Sequence, residues 1–170
     1  MYGNQEGSIV IEWLPDLLRN EGFGNLELYL DAVYAAFKKD FIHNKPSFRG
    51  TRLGLKKYPL YDGKEATFWH MTTFGRIEIE RNPDLDRCER IKWPSPIIEN
   101  DKSPLLKIWE NKRNRENRIL IFCEEENYLV VLAKRNDYIL PWTAYLVDRS
   151  HRKRKLLNEY EAYKKLEPHT

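Results

Sequence analysis

Apolar residues recur at spacings of three and four up to about residue 45. Beyond it they come in alternation or in short unbroken runs. In the first stretch Leu26, Leu30, Val33, Tyr34, Phe37 and Phe41 make one apolar stripe, which predicts a helix of about four or five turns. Gly24-Asn25 supplies its start signal. An earlier helix is predicted around Leu14 to Arg19, with Pro15 in its first turn and Gly22 at its end. From residue 46 the texture changes. Arg52 to Tyr58 alternates apolar and polar positions, and Tyr61-Asp62-Gly63-Lys64 has turn composition. Ala66 to Phe74 is rich in Thr and aromatics and reads as a strand. Residues 81–104 carry Pro83, Pro94, Pro96 and Pro104 among many charges and read mostly as a long loop. A basic stretch, Lys107 to Arg118, leads into three β-like runs: Arg118 to Cys123, Tyr128 to Ala133 and Tyr138 to Val147. The short polar separators between these runs imply antiparallel hairpins. Arg149 to Leu166 closes the pattern as an amphipathic helix, with Leu156, Leu157, Tyr160 and Tyr163 at helical spacing.

Helices that precede a meander argue for an α+β fold. The expected form is N-terminal helices packed on a four- or five-stranded antiparallel sheet, with a C-terminal amphipathic helix. The 170 residues suit one domain. It would comprise a helical part (1–45), the sheet (46–148, with the Pro-rich loop at about 81–104) and a basic helix (149–166). No apolar run approaches the roughly 20 residues needed to span a bilayer, so no membrane partner is expected. The start, MYGNQEGSIVIEW, has no basic n-region and no small-residue cleavage site. Cys88 and Cys123 sit in unrelated contexts. Free thiols and a cytoplasmic location are the expectation.

Charge sharpens the picture. The net charge is +3, but residues 1–45 hold four Lys/Arg against seven Asp/Glu, which leaves 25 against 19 in the remainder. Lys112, Arg113, Arg115 and Arg118 form one basic cluster. Arg149, Arg152, Lys153, Arg154 and Lys155 form another, with His151 among them. Lys134 and Arg135 add a basic turn. Such clusters suit a polyanion, because each phosphate neutralised releases condensed counterions. Trp69, Trp93, Trp109 and Trp142 offer stacking surfaces for unpaired bases.

If Ala66 to Phe74 is a strand, Phe68, His70, Thr72 and Phe74 share one face. On the last strand Thr143, Tyr145 and Val147 share a face, opposite Trp142, Ala144 and Leu146. Antiparallel pairing can bring His70 close to Thr143 and Tyr145. An imidazole takes or gives a proton near neutral pH, and hydroxyls and guanidinium groups hold a phosphate and its developing charge. Arg76, Arg118 and Arg135, at predicted strand ends, are the candidate guanidinium groups. RNA supplies its own nucleophile, the 2′-hydroxyl, so the site needs no metal. His43, His70, His151 and His169 show no metal-ligand spacing. There is no phosphate-binding G-x-x-x-x-G-K-[ST] loop, no G-x-G-x-x-G turn and no G-x-S-x-G elbow.

The order of these pieces carries more than any one of them. A strand with FWHMTT precedes Asn82-Pro83-Asp84. The basic WENKRNRENR then runs into RILIFC. YLVVLA, WTAYLV and a basic helix follow. Over residues 64–165 the chain resembles the barnase–EndoU–colicin–RelE-like group of phage and toxin nucleases. That resemblance implies metal-independent endoribonuclease action without a cofactor. It makes His70 the strand histidine, Arg118 the basic residue entering the next strand, and Thr143 and Tyr145 the terminal "TAY". It further implies a small inhibitor protein, an antitoxin or immunity partner. Trp69 stands where the group carries a basic residue, and the final helix is longer and more basic than the group needs. Two alternatives stay open: a module that binds RNA without cutting it, and a protein-interaction domain that docks through its acidic first 45 residues.

Overall fold

The computed structural model describes residues 9–74 and 82–167. In chain order the described elements begin with helix α1 (Leu26–Lys38), prolonged by a π turn at Lys39–His43. A short hairpin of β1 (Ser47–Phe48) and β2 (Thr51–Arg52) follows, then helix α2 (Ala66–Thr72) and strand β3 (Thr73–Phe74). Next come β4 (Asn82–Pro83), α3 (Leu85–Glu89) and α4 (Pro94–Glu99). The meander β5 (Leu106–Arg113), β6 (Glu116–Cys123), β7 (Tyr128–Lys134) and β8 (Ile139–Leu146) leads to helix α5 (Ser150–Leu166). The fold is α+β, and β5 to β8 form a four-stranded antiparallel sheet in chain order.

The unbroken apolar runs of β6 and β7 explain how the sheet is covered. A strand with one wet face alternates, whereas a strand buried on both faces does not. Both faces are indeed buried. Ile119, Ile121, Val130, Leu132 and Ala144 join Tyr29, Val33 and Phe37 of α1 and Phe68 of α2 in the larger core. On the other face Trp109, Leu120, Phe122, Leu129 and Val131 meet Leu156, Leu157, Tyr160 and Tyr163 of α5. The stripe of α1 is rotated from the predicted one. Tyr29 is fully buried, whereas Leu26 is 49 % exposed.

Four expectations need correction. The segment Ala66 to Thr72 is a helix, so the alternation that put His70 and Thr72 on one strand face does not exist. Packing decides here: Phe68 lies edge-on to Tyr34 and 5.3 Å from the Phe37 ring. The hydroxyls of Thr72 and Thr73 donate back to the carbonyls of Phe68 and Trp69, which lets threonines end a helix. Leu14 to Arg19 is not helical. Its polar backbone groups are engaged elsewhere: Leu18 N donates to the Glu89 carbonyl, and the carbonyls of Pro15 and Leu18 accept from the Trp93 indole and the Tyr29 hydroxyl. The Pro-rich stretch holds two helices, one capped by Asp84 Oδ1 accepting from Arg87 N and one started by Pro94. The basic stretch from Lys107 is itself strand β5 and the turn after it.

Candidate functional site

A continuous cleft lies between the first turns of α5 and the sheet. Its inner lobe, about 370 Å³, has an apolar floor of Leu120, Leu129, Val131 and Leu156 beneath Asn111, Arg118 and Glu159. Its outer lobe, about 450 Å³, is lined by Arg87, Trp142, Thr143, Arg149 and His151. Arg113, Arg118, Val131, Tyr145 and Arg152 border both lobes. Alternation along β6 and β7 builds the floor, and α5 supplies one basic wall.

The wall is mainly cationic, with Asp148 as the acidic residue of the outer lobe and Glu159 as that of the inner. Among the described residues, Arg113, Arg118, Arg149 and Arg152 take part in no ion pair. Desolvation by burial, reinforced by Arg113 and Arg152, holds the Arg118 guanidinium below the ordinary arginine range. The start of α5 adds to the field. Arg149 caps the helix without a side-chain hydrogen bond, and the first turn holds no acidic residue. Cations beside the positive end of a helix dipole oppose the usual preference. Such local conflicts tend to fall at functional sites.

Three networks fix the polar groups. The Trp109 indole Nε1 and Asn111 Nδ2 both donate to Glu159 Oε1, at 2.9 and 2.6 Å. Asn111 Oδ1 in turn accepts from Arg118 Nε at 3.0 Å. One asparagine therefore orients a carboxylate and a guanidinium together. Arg152 Nη2 donates to the Tyr145 hydroxyl at 2.6 Å, and the guanidiniums of Arg87 and Arg152 each stand 5.3 Å over the Tyr145 ring. Arg87 Nη1 donates to the carbonyls of His70 and Thr73 and to Thr143 Oγ1. Thr143 Oγ1 donates to the His70 carbonyl as well.

The structure thus brings Arg113, Arg118, Thr143, Tyr145, Arg149 and Arg152 to one cleft. The Thr143 hydroxyl is engaged in locking α2 to β8. His70 does not line the cleft. Its ring packs edge-on to Trp142 at 4.8 Å, and its carbonyl is what meets Thr143. Trp142 shares the cleft face with Thr143 and Tyr145 instead of opposing them. The pairing steps from Val131↔Thr143 to Leu132↔Pro141, so Trp142 is the extra residue of a bulge. Lys134 and Arg135 line neither lobe and are paired with Glu110 and Glu116 at 2.8 Å each, although the Arg135 guanidinium stands 5.8 Å over the ring of Trp142 on the cleft wall. Arg115 is exposed in the β5–β6 turn with φ 66°. Lys153 lines a further hollow beside Val147, which shares Leu146, Asp148 and Arg149 with the outer lobe. Arg76 lies outside the described residues. Sequence reasoning missed Arg87 and Glu159. The cap pattern at Asp84 was the signal for Arg87; Glu159, two turns along α5 from Arg152, carried none.

Among the described residues no group of three His, Cys, Asp or Glu side chains converges as metal ligands, and no helix is long and apolar enough to cross a membrane. Compared with protein-family models, curated proteins and solved structures, the chain gives no match.

Proposed function

We propose that the chain binds the phosphodiester backbone of single-stranded RNA in this cleft and cleaves it by attack of the 2′-hydroxyl, without a metal ion. One observation carries the reading. Four arginines without carboxylate partners among the described residues surround a cleft whose inner lobe has an apolar floor. Guanidinium groups suit phosphate geometry and the charge that grows on it during displacement. The apolar floor suits a splayed-out base. Arg118, with its Nε tied to Asn111, has no partner on either terminal nitrogen among the described residues, which leaves both for the phosphate. The leaving oxygen needs a proton. The imidazole of His151 is on the cleft wall, whereas that of His70 stands behind Trp142. The inhibitor protein implied by the resemblance belongs to this reading as a partner that would close the same cleft.

The test incubates purified protein with labelled RNA in EDTA, beside Arg118→Ala, His70→Ala and His151→Ala. Expected are a 2′,3′-cyclic phosphate end, loss of cutting in Arg118→Ala, and a larger rate loss in His151→Ala than in His70→Ala. RNA that stays intact at every protein ratio refutes cleavage. If it is nevertheless bound with strong salt dependence, the chain is a binding module.

A further inference from the structure

We propose that Glu159 is the general base that takes the 2′-hydroxyl proton, an assignment that rests on the endoribonuclease reading above. The carboxylate lines the inner lobe beside Arg118, Arg113 and Tyr145. It comes from the third turn of α5, on the helix face that holds Leu156 and Tyr160 against the sheet. Both of its hydrogen bonds arrive at one oxygen. Trp109 Nε1 and Asn111 Nδ2 converge on Oε1, and Oε2 has no partner among the described residues. Trp109 is 1 % exposed, so the donor that aims the carboxylate is itself packed in the core.

A solvated structural carboxylate does not need this arrangement. In the ion pairs of the sheet the carboxylate meets a lysine or arginine directly, as Glu110 meets Lys134 and Glu116 meets Arg135. Glu159 lies among Arg113, Arg118, Arg152 and Lys155 yet forms no ion pair with them. Neutral donors orient it, and a lone pair remains on the second oxygen. A general base has to be held by a group other than the one it works on, with a lone pair left for the proton. Asn111 completes the geometry, because the same side chain sets Arg118. Carboxylate and phosphate clamp are thereby registered to each other.

In the step so assigned, Oε2 takes the proton of the 2′-hydroxyl and O2′ forms a bond to phosphorus. The P–O5′ bond breaks, and O5′ receives a proton from the imidazolium of His151. The products are a 2′,3′-cyclic phosphate and a 5′-hydroxyl. Glu159 ends protonated and His151 neutral, and exchange with water resets both. Arg118 and Arg152 hold the non-bridging oxygens throughout.

The test separates binding from cutting. Glu159→Gln preserves an acceptor for Trp109 and Asn111 but cannot take a proton. Expected is a fall in cleavage rate of about 10²- to 10⁴-fold, with unchanged affinity for a 2′-O-methyl RNA of the same sequence. In Glu159→Ala, added formate restores part of the lost rate, which a merely structural role would not allow. Cleavage by Glu159→Gln at the wild-type rate overturns the assignment, as does loss of affinity in step with cleavage. A wild-type chain that does not cut RNA at all overturns the cleavage reading and this assignment together, which marks that failure apart from one of Glu159 alone.

Discussion

Replacing Arg87 by alanine tests whether one guanidinium ties α2, α3 and β8 together. Its Nη1 donates to the carbonyls of His70 and Thr73 and to Thr143 Oγ1 at 3.1 to 3.2 Å, and its Nε lies 3.4 Å from Asp84 Oδ2. The side chain is 18 % exposed, so water replaces these bonds poorly. Carbonyls in the last turn of a helix have no partner within it. Losing a charged donor costs about 1.5–3 kcal/mol per bond. Nη1 carries only two hydrogens for three acceptors, and Thr143 still reaches the His70 carbonyl. The three interactions are therefore worth about one and a half bonds, or ~3 kcal/mol. For a chain of this size that lowers Tm by about 6–12 °C. Arg87→Lys retains the charge and one donor direction, and should lose about half as much. Thermal unfolding followed by circular dichroism measures both. A shift below ~2 °C in Arg87→Ala would falsify the tie, because packing alone would then hold α2 on β8.

The thiol of Cys88 is pushed up to about 12, chiefly by burial, with Asp84 and Glu89 adding to the effect. The unfolded chain ionises this group near its ordinary 9.0 while the folded chain cannot. Its stabilising effect is therefore complete below pH 9 and lost as pH rises from there toward 12. Urea midpoints should fall over that window and fall less in Cys88→Ala, and equal slopes would refute the point. In RNA binding, neutralising Arg118 or Arg152 with glutamine should flatten the plot of log affinity against log salt by about 0.7 for each phosphate that is no longer neutralised. Lys134→Gln, whose partner is Glu110, should leave that slope unchanged.

The elements read correctly from sequence are those whose apolar spacing has one interpretation. β6, β7 and α5 are of this kind, as is the turn at Tyr61 to Lys64, closed by reciprocal backbone bonds with Asp62 and Gly63 at positive φ. ATFWHMTTF had two interpretations. Its threonines and aromatics fit a strand, and only its packing against α1 and β8 makes it a helix. The cleft was legible in part, because Thr143 and Tyr145 followed from alternation, and Arg118 from its place at a strand end. His70 was assigned on a strand that is a helix. Asn111, Trp109 and Glu159 meet across nearly fifty residues of sequence, and no local pattern announces such a meeting.

The order of the chain has a consequence for its synthesis. The apolar row Tyr29, Val33, Phe37 and Phe41 shares its core with Phe68, about thirty residues on, and with Ile119, Val130, Leu132 and Ala144, roughly eighty to a hundred residues on. At translation rates of about 5–20 residues per second, that row waits about 5–20 s before its sheet partners exist. The meander, by contrast, closes through hairpins as soon as it emerges. During that interval the nascent chain presents a row of hydrophobic side chains covered only in part, by Phe23, Phe68 and their neighbours, and a chaperone that binds such rows should associate with ribosome-bound intermediates and release them once β8 has left the exit tunnel.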